Sequence, residues 1–198
     1  KTAYEMCGRD WSSDVCSSDL TKFQQLLLRF NEKHNLVSKL KATNLTEDIE
    51  DCQQLINHIP TNTNRILDLG SGNGFPGIII AITRPSLVID LAEKQTKKAH
   101  FLKTTINRLG LKNARVIQKN IANNTDESYD LIVARAVATT EKILQMTNKI
   151  TLPNSKYLLM KGMLHKTQDE LKNLTLRHKI HPYTLHEKER CIVEVFSE

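Results

Sequence analysis

The stretch Asp68-Leu69-Gly70-Ser71-Gly72-Asn73-Gly74-Phe75-Pro76-Gly77 carries residue types suited to holding a nucleotide. Glycines at 70, 72 and 74 allow positive φ and let a ligand reach the backbone with no Cβ in the way. Residues 65–69, before the loop, read as a buried strand. Residues 76–83, after it, read as a helix with proline in its first turn, where the missing N–H costs nothing. Glu93 follows about twenty residues on, where a carboxylate can accept both ribose hydroxyls of an adenosine. Gly72-x-Gly74-x-x-Gly77 also satisfies the dinucleotide fingerprint, a weak sign alone. Strand, glycine loop and later acid together point to an adenosine-containing cofactor at the carboxyl ends of the strands.

The acid in front of the first glycine bears on which cofactor. A carboxylate at Asp68 would repel a nearby pyrophosphate and suits the cationic methionine end of S-adenosylmethionine. The Asp-x-Gly-x-Gly-x-Gly form is similar to the first motif of methyltransferases. The plainer alternative is that Asp68 caps its own loop.

The elements that position this loop follow from periodicity. Phe23, Leu26, Leu27 and Phe30 share one helix face from Thr21 onward. A second helix is expected from Asn44, with Glu47 completing a capping box, through Ile49, Cys52, Leu55 and Ile56. Strands are expected at 87–92, 114–118, 129–134 and 156–161. Helices are expected at 96–109, stopped by Gly110, at 139–150 and at 166–176. Residues 179–185 and 190–196 read as two strands close enough to pair antiparallel. The alternation implies an α/β, Rossmann-like fold: a mostly parallel sheet with an antiparallel C-terminal strand and N-terminal helices. Residues 21–198 are expected to form one domain, with helices over 21–60 and the core over 61–198. Residues 1–20, with the near-repeat Ser12-Ser13-Asp14-Val15-Cys16 and Ser17-Ser18-Asp19-Leu20, show no clear period. They look like translated adapter read-through and are expected to be a non-native or disordered leader.

Composition narrows the class. At 39% hydrophobic and 25% charged residues, the chain reads as an ordinary soluble globular domain. Its longest apolar run, residues 78–82, is too short to span a bilayer. Cys7, Cys16, Cys52 and Cys191 form no CxxC pair; neither zinc nor a disulfide framework is expected, and a reducing, cytoplasmic setting follows. The net charge is +6. Residues 1–20 oppose it, with Lys1 and Arg9 against Glu5, Asp10, Asp14 and Asp19. The excess on the remaining chain favours a polyanionic partner.

Several segments, in order, resemble the bacterial small-subunit rRNA guanine-N7 methyltransferase family, RsmG or GidB. Phe30-Asn31-Glu32-Lys33-His34-Asn35-Leu36-Val37-Ser38 is similar to its entry helix and Asn-Leu turn. Gly70 to Gly77 matches its glycine motif with the unusual Phe-Pro-Gly finish. Glu93-Lys94 through Lys97-Lys98-Ala99-His100-Phe101-Leu102 resembles its acidic loop and lysine-rich helix. Tyr129 to Ala136, Lys161-Gly162, and Arg190 before Ile192-Val193 match further motifs.

The resemblance implies S-adenosylmethionine as cofactor and 16S rRNA or the small ribosomal subunit as partner, with the protein acting as a monomer and without metal or membrane. It places cofactor contacts at Gly70, Phe75, Ile121, Ala122 and Arg135, beside Asp68, Ser71, Gly72, Gly74 and Glu93 expected from the glycine loop and its acids, and RNA contacts at Arg135 and Lys161. The chain departs from the family at Asp48 and Cys52, where His and Ser are usual beside a retained Asp51, and at Asn120 and Ala122 in the adenine loop.

The implied chemistry asks little of side chains. Guanine N7 has a free lone pair on the major-groove edge, so it attacks a sulfonium methyl without a general base, and alignment does the rest. No catalytic acid or base is therefore assigned. Two other classes stay open: an NAD(P)-dependent oxidoreductase, whose Tyr-x-x-x-Lys spacing occurs here only at Tyr157 and Lys161, on an expected strand that holds the two apart, and a non-catalytic RNA-binding module, whose glycine loop would be obstructed.

Overall fold

A computed structural model describes residues 14–34, 44–118, 121 and 127–197. Seven strands form one sheet: β1 (Arg65–Leu69), β2 (Val88–Ala92), β3 (Ala114–Ile117), β4 (Tyr129–Arg135), β5 (Thr151–Lys161), β6 (His178–Leu185) and β7 (Lys188–Phe196). Their order is β3-β2-β1-β4-β5-β7-β6. The first five are parallel, and β7 runs antiparallel between β5 and β6. The reversal of order beside β1 places the β1 and β4 carboxyl ends at the switch point, where ligands bind in open α/β sheets.

Helices cover both faces. On one lie α1 (Asp14–His34), α2 (Leu45–Ile56), α3 (Gly77–Thr83) and α4 (Thr96–Leu109), packed on Ile66, Ile89, Leu91, Leu131 and Val133. On the other, α5 (Thr140–Thr147) and α6 (Leu164–Leu171) pack Ile143 and Leu171 against Leu67, Ile132, Leu159 and Val193. Helix α3 is buried along its whole length, which explains why Ile78-Ile79-Ile80-Ala81-Ile82 shows no polar face.

Several features differ from expectation, most for a tertiary reason; strand β5 begins at Thr151, ahead of the expected 156. Helix α1 begins at Asp14, inside the segment expected as a leader. Cys16 and Leu20 precede Phe23 by seven and three residues, so they continue its face, and Cys16 is 2% exposed in the core. The capping box at Asn44 does not form: Asn44 makes no side-chain cap bond, and Glu47 instead accepts from Lys188 and Arg190 on β7. Helix α5 spans less than 139–150, because buried Ile150 packs after the helix has ended. Helix α6 ends at Leu171 rather than 176; Leu174 and Leu176 reach the core from non-helical chain.

On this second face an ionic cluster joins β1 to β4. Asp90 on β2 is fully buried. It accepts from Arg65 Nη2 at 2.7 Å, Arg115 Nε at 2.6 Å and the Tyr129 hydroxyl at 2.9 Å. Glu127 pairs with both arginines from outside. Four strands are thus tied to one carboxylate, and burial beside it pushes the Tyr129 hydroxyl well above the usual range. Asp90→Ala is expected to lower unfolding free energy by about 3 kcal/mol, since it orphans the Tyr129 hydroxyl and two guanidiniums. Urea denaturation checks this, and a loss under 1 kcal/mol would mean the cluster is a solvated surface feature.

Candidate functional site: the glycine turn and its cavity

The turn after β1 is held by two carboxylates. Asp68 lies beneath it, fully buried, and its Oδ2 accepts the Gly77 N–H at 3.1 Å. The Ser71 hydroxyl donates to the Asp68 carbonyl at 2.9 Å, and the Ser71 N–H to the Ala92 carbonyl of β2 at 3.0 Å. From β2, Glu93 accepts the Gly72 N–H at 3.0 Å on Oε2 and the Gln95 N–H at 2.7 Å on Oε1. Gly70 sits at φ +69°, where a Cβ would come within 2.8 Å of Val137 Cγ2. At Gly77 a Cβ would collide with Leu91 and Asp68, so this glycine exists for close packing of α3 on the sheet.

Beside the turn lies a cavity of about 470 Å³, walled by Gly70, Ala92, Glu93, Ile121, Val137 and Met146 among others. It brings together Gly70, Glu93 and Ile121 of the residues expected to meet the cofactor. Ser71 and Gly72 support it from the turn. Ala122 and Asn120, expected near the adenine, lie outside the described residues, as does the Asn35-Leu36 match.

Four expected contacts are placed elsewhere. Asp68 faces α3 and does not line the cavity; the loop-capping alternative describes its position. Gly74 packs on Phe23 and Ile78. Phe75 stacks edge-on against Phe23, with ring centroids 5.3 Å apart. Arg135 stands over the Phe75 ring at 5.6 Å and pairs with Asp48 and Asp51 of α2. Lys161 borders a second, smaller cavity.

Asp51 is the centre of the α2 docking. Its Oδ1 accepts the Tyr183 hydroxyl at 2.7 Å, and its Oδ2 the Arg190 guanidinium at 3.3 Å. Cys52, beside it, is fully buried, and burial pushes its thiol well above the usual range.

The sequence reasoning missed Lys94, Lys142 and the Ala136-Val137-Ala138 turn, all of which line the cavity. Ala136 takes φ +55°, a conformation alanine disfavours and one that no residue pattern announces. Val137 is a large apolar side chain left 37% exposed, beside a glycine that has no room for a Cβ.

The residues fit an adenosyl ligand: a carboxylate at the end of β2, a Cβ-free wall at Gly70, and apolar sides at Ile121 and Val137. Among the described residues no group of His, Cys, Asp and Glu could hold a metal ion, and no helix is long and apolar enough to cross a membrane. Fold and site define the Rossmann-like class I fold of S-adenosylmethionine-dependent methyltransferases. A methyltransferase of that class from Aquifex aeolicus superposes with a TM-score of 0.60 at 13% identity, over 74% of this chain and 90% of that one. TYW2 from M. jannaschii, solved with AdoMet, gives 0.57 at 16%, over 76% and 75%. The family model GidB, rRNA small subunit methyltransferase G, matches residues 17–193. The relative of that name from Syntrophomonas wolfei is 36% identical over 153 residues, 75% of this chain and 72% of that one. One from Xanthomonas campestris is 35% identical over 150 residues, 74% and 69%. The chain belongs to the GidB family.

Two predictions follow from the two carboxylates. Glu93→Ala removes the acceptor for Gly72 and Gln95 and for a ribose; S-adenosylmethionine affinity is expected to fall about ten- to a hundredfold by calorimetry, as for loss of charged hydrogen bonds. Burial pushes the Asp68 carboxyl up to about 7 from an ordinary 3.8, against the pull of the Gly77 N–H. The folded state thus holds a proton that the unfolded state has released. The stability from this group is full below about pH 4 and is lost as pH rises to about 7, with a slope of up to about 1.4 kcal/mol per unit. Asp68→Asn is expected to flatten that fall; identical stability–pH curves for variant and parent would refute it.

Proposed function

We propose that this protein transfers the methyl group of S-adenosylmethionine to N7 of one guanine in 16S ribosomal RNA, acting as a monomer in the cytoplasm. The observation that carries the reading is the Glu93 staple: one carboxylate fixes the glycine turn through Gly72 and also borders the cavity beside Gly70. Membership in a family of small-subunit rRNA methyltransferases supports the substrate, and the net charge of +6 suits a polyanion.

S-adenosylmethionine supplies an electrophilic methyl carbon on a positively charged sulfur. Glu93, preset by its backbone donors, accepts the ribose hydroxyls. Gly70 lets the ligand approach the main chain, while Ile121 and Val137 exclude water from its flank. The guanine N7 lone pair needs no base to free it, so these residues act by alignment and desolvation. Arg135 contributes from behind the turn: it ties Asp48 and Asp51 of α2 to the ring of Phe75 and so holds the N-terminal helices against the glycine loop.

The test is transfer of a labelled methyl group to small subunits from cells lacking their own guanine-N7 enzyme, with naked rRNA in parallel. Label mapped to a single guanine N7 is the expected result. Label at another atom would correct the chemistry, and absence of both transfer and cofactor binding would overturn the assignment.

A further inference from the structure

A second cavity, of about 150 Å³, lies between the carboxyl ends of β4 and β5. Ala134, Ile143, Leu159 and Met160 wall it, together with the Ala136-Val137-Ala138 turn that also walls the larger cavity. The two spaces are neighbours across that one turn. Lys161 is the single charged side chain in the smaller one.

Lys161 is fixed in place. Its Nζ donates to the Ala138 carbonyl at 3.1 Å and to Glu170 Oε1 at 2.8 Å. Glu170 is itself held: the same oxygen accepts the Thr140 N–H at 2.6 Å, at the start of α5. These donors hold its carboxyl below the usual range although burial opposes them. An ammonium has three N–H donors. Two are engaged, and the third has no acceptor among the described residues.

An apolar slot with one spare donor suits a flat base that presents an acceptor. Guanine carries two acceptors side by side, N7 and O6, on one edge. A guanine that turns N7 toward the larger cavity brings O6 along the same edge. Forming the N7–carbon bond from the N7 lone pair, as the carbon–sulfur bond breaks and sulfur keeps its electrons, leaves the ring positive with no proton moved. A bare ammonium at O6 would oppose that charge; an ammonium cancelled by a carboxylate would not. Building on the guanine-N7 reading above, we propose that the smaller cavity receives the target guanine, that Lys161 donates its third N–H to O6, and that Glu170 is a positioning residue that fixes this ammonium and neutralises it.

The test compares the parent protein with Lys161→Met and Glu170→Gln on small subunits, reading kcat, RNA affinity against salt, cofactor affinity and melting temperature. Lys161→Met is expected to lower kcat at least about tenfold, well beyond any loss of cofactor affinity from freeing the Ala138 carbonyl, with the salt slope of RNA binding unchanged. Glu170→Gln keeps an amide oxygen for both donors but leaves the ammonium uncancelled; kcat is expected to fall while RNA affinity rises. Movement in opposite directions is not what a merely structural role produces. The proposal is overturned by an unchanged kcat in Glu170→Gln, or by a parallel loss of melting temperature and cofactor affinity. It is also overturned if Lys161→Met loses RNA affinity with a salt slope smaller by about one, the mark of a phosphate contact. Failure of the parent to methylate any guanine N7 would instead sink the functional reading, and that lane reports it separately.

Discussion

Two main-chain N–H groups at the turn after β1, those of Gly72 and Gly77, find a carboxylate where a helix or strand would offer a carbonyl. Asp68 serves Gly77, and Glu93 serves Gly72 and Gln95. A buried backbone donor without an acceptor is rare because it forfeits its hydration, so the turn can exist only where these two acids stand. Much of the surrounding structure follows. Asp68 occupies the space a Cβ on Gly77 would need, and the glycine lets the buried helix α3 pack directly on β2. Ser71 ties the same turn to β2 through Ala92. The carboxylate at Glu93 faces both ways, toward the turn and toward the cavity. The loop geometry and the cavity wall therefore share one side chain.

Charge is distributed with a similar economy. Many of the sheet's cations are paired within the fold: Arg65 and Arg115 with Asp90, Arg190 with Glu47 and Asp51, Lys156 with Glu194. The acids of α2 meet basic residues from β4 and the β6–β7 hairpin, which joins the first part of the chain to the last. Asp48 gives Arg135 a full carboxylate partner. A neutral imidazole at that position could not hold the guanidinium as firmly against Phe75.

Local pattern made most of the fold legible. The run 65–69 followed by glycines, the alternation of apolar strands with amphipathic helices, and Gly110 as a stop are properties of a few residues each. Helix α4 ends where expected because Gly110 adopts φ +64°. Misreadings arose where a distant partner outbid a neighbour. Glu47 had a capping role available but turned to Lys188 and Arg190, some 140 positions on. Asp68 carried the right residue type at the right place, yet which face of the strand it takes decides between ligand and scaffold. Its alternation with Leu67 and Leu69 puts it on the α3 side. The conformation of Ala136 had no trace in the sequence, since positive φ at alanine is imposed by surroundings and not by side-chain type.

That residue matters because of where it sits. Ala136 at φ +55° begins the three-residue turn that separates the larger cavity from the smaller. Backbone strain of this kind persists only where neighbours over-determine it. Its neighbours do so: Arg135 on one side is anchored to α2, Ala138 on the other is bonded to Lys161, and Val137 between them fills the space opposite Gly70. Both ends of the turn are thus fixed to separate parts of the fold, and its middle is pressed by the glycine loop. A methyl transfer that relies on alignment alone needs donor and acceptor held at a set separation with water kept out. A rigid, apolar rim shared by both cavities would fix the approach of two ligands that meet over it better than a mobile loop would. Its rigidity comes from the same glycine turn that the two carboxylates hold.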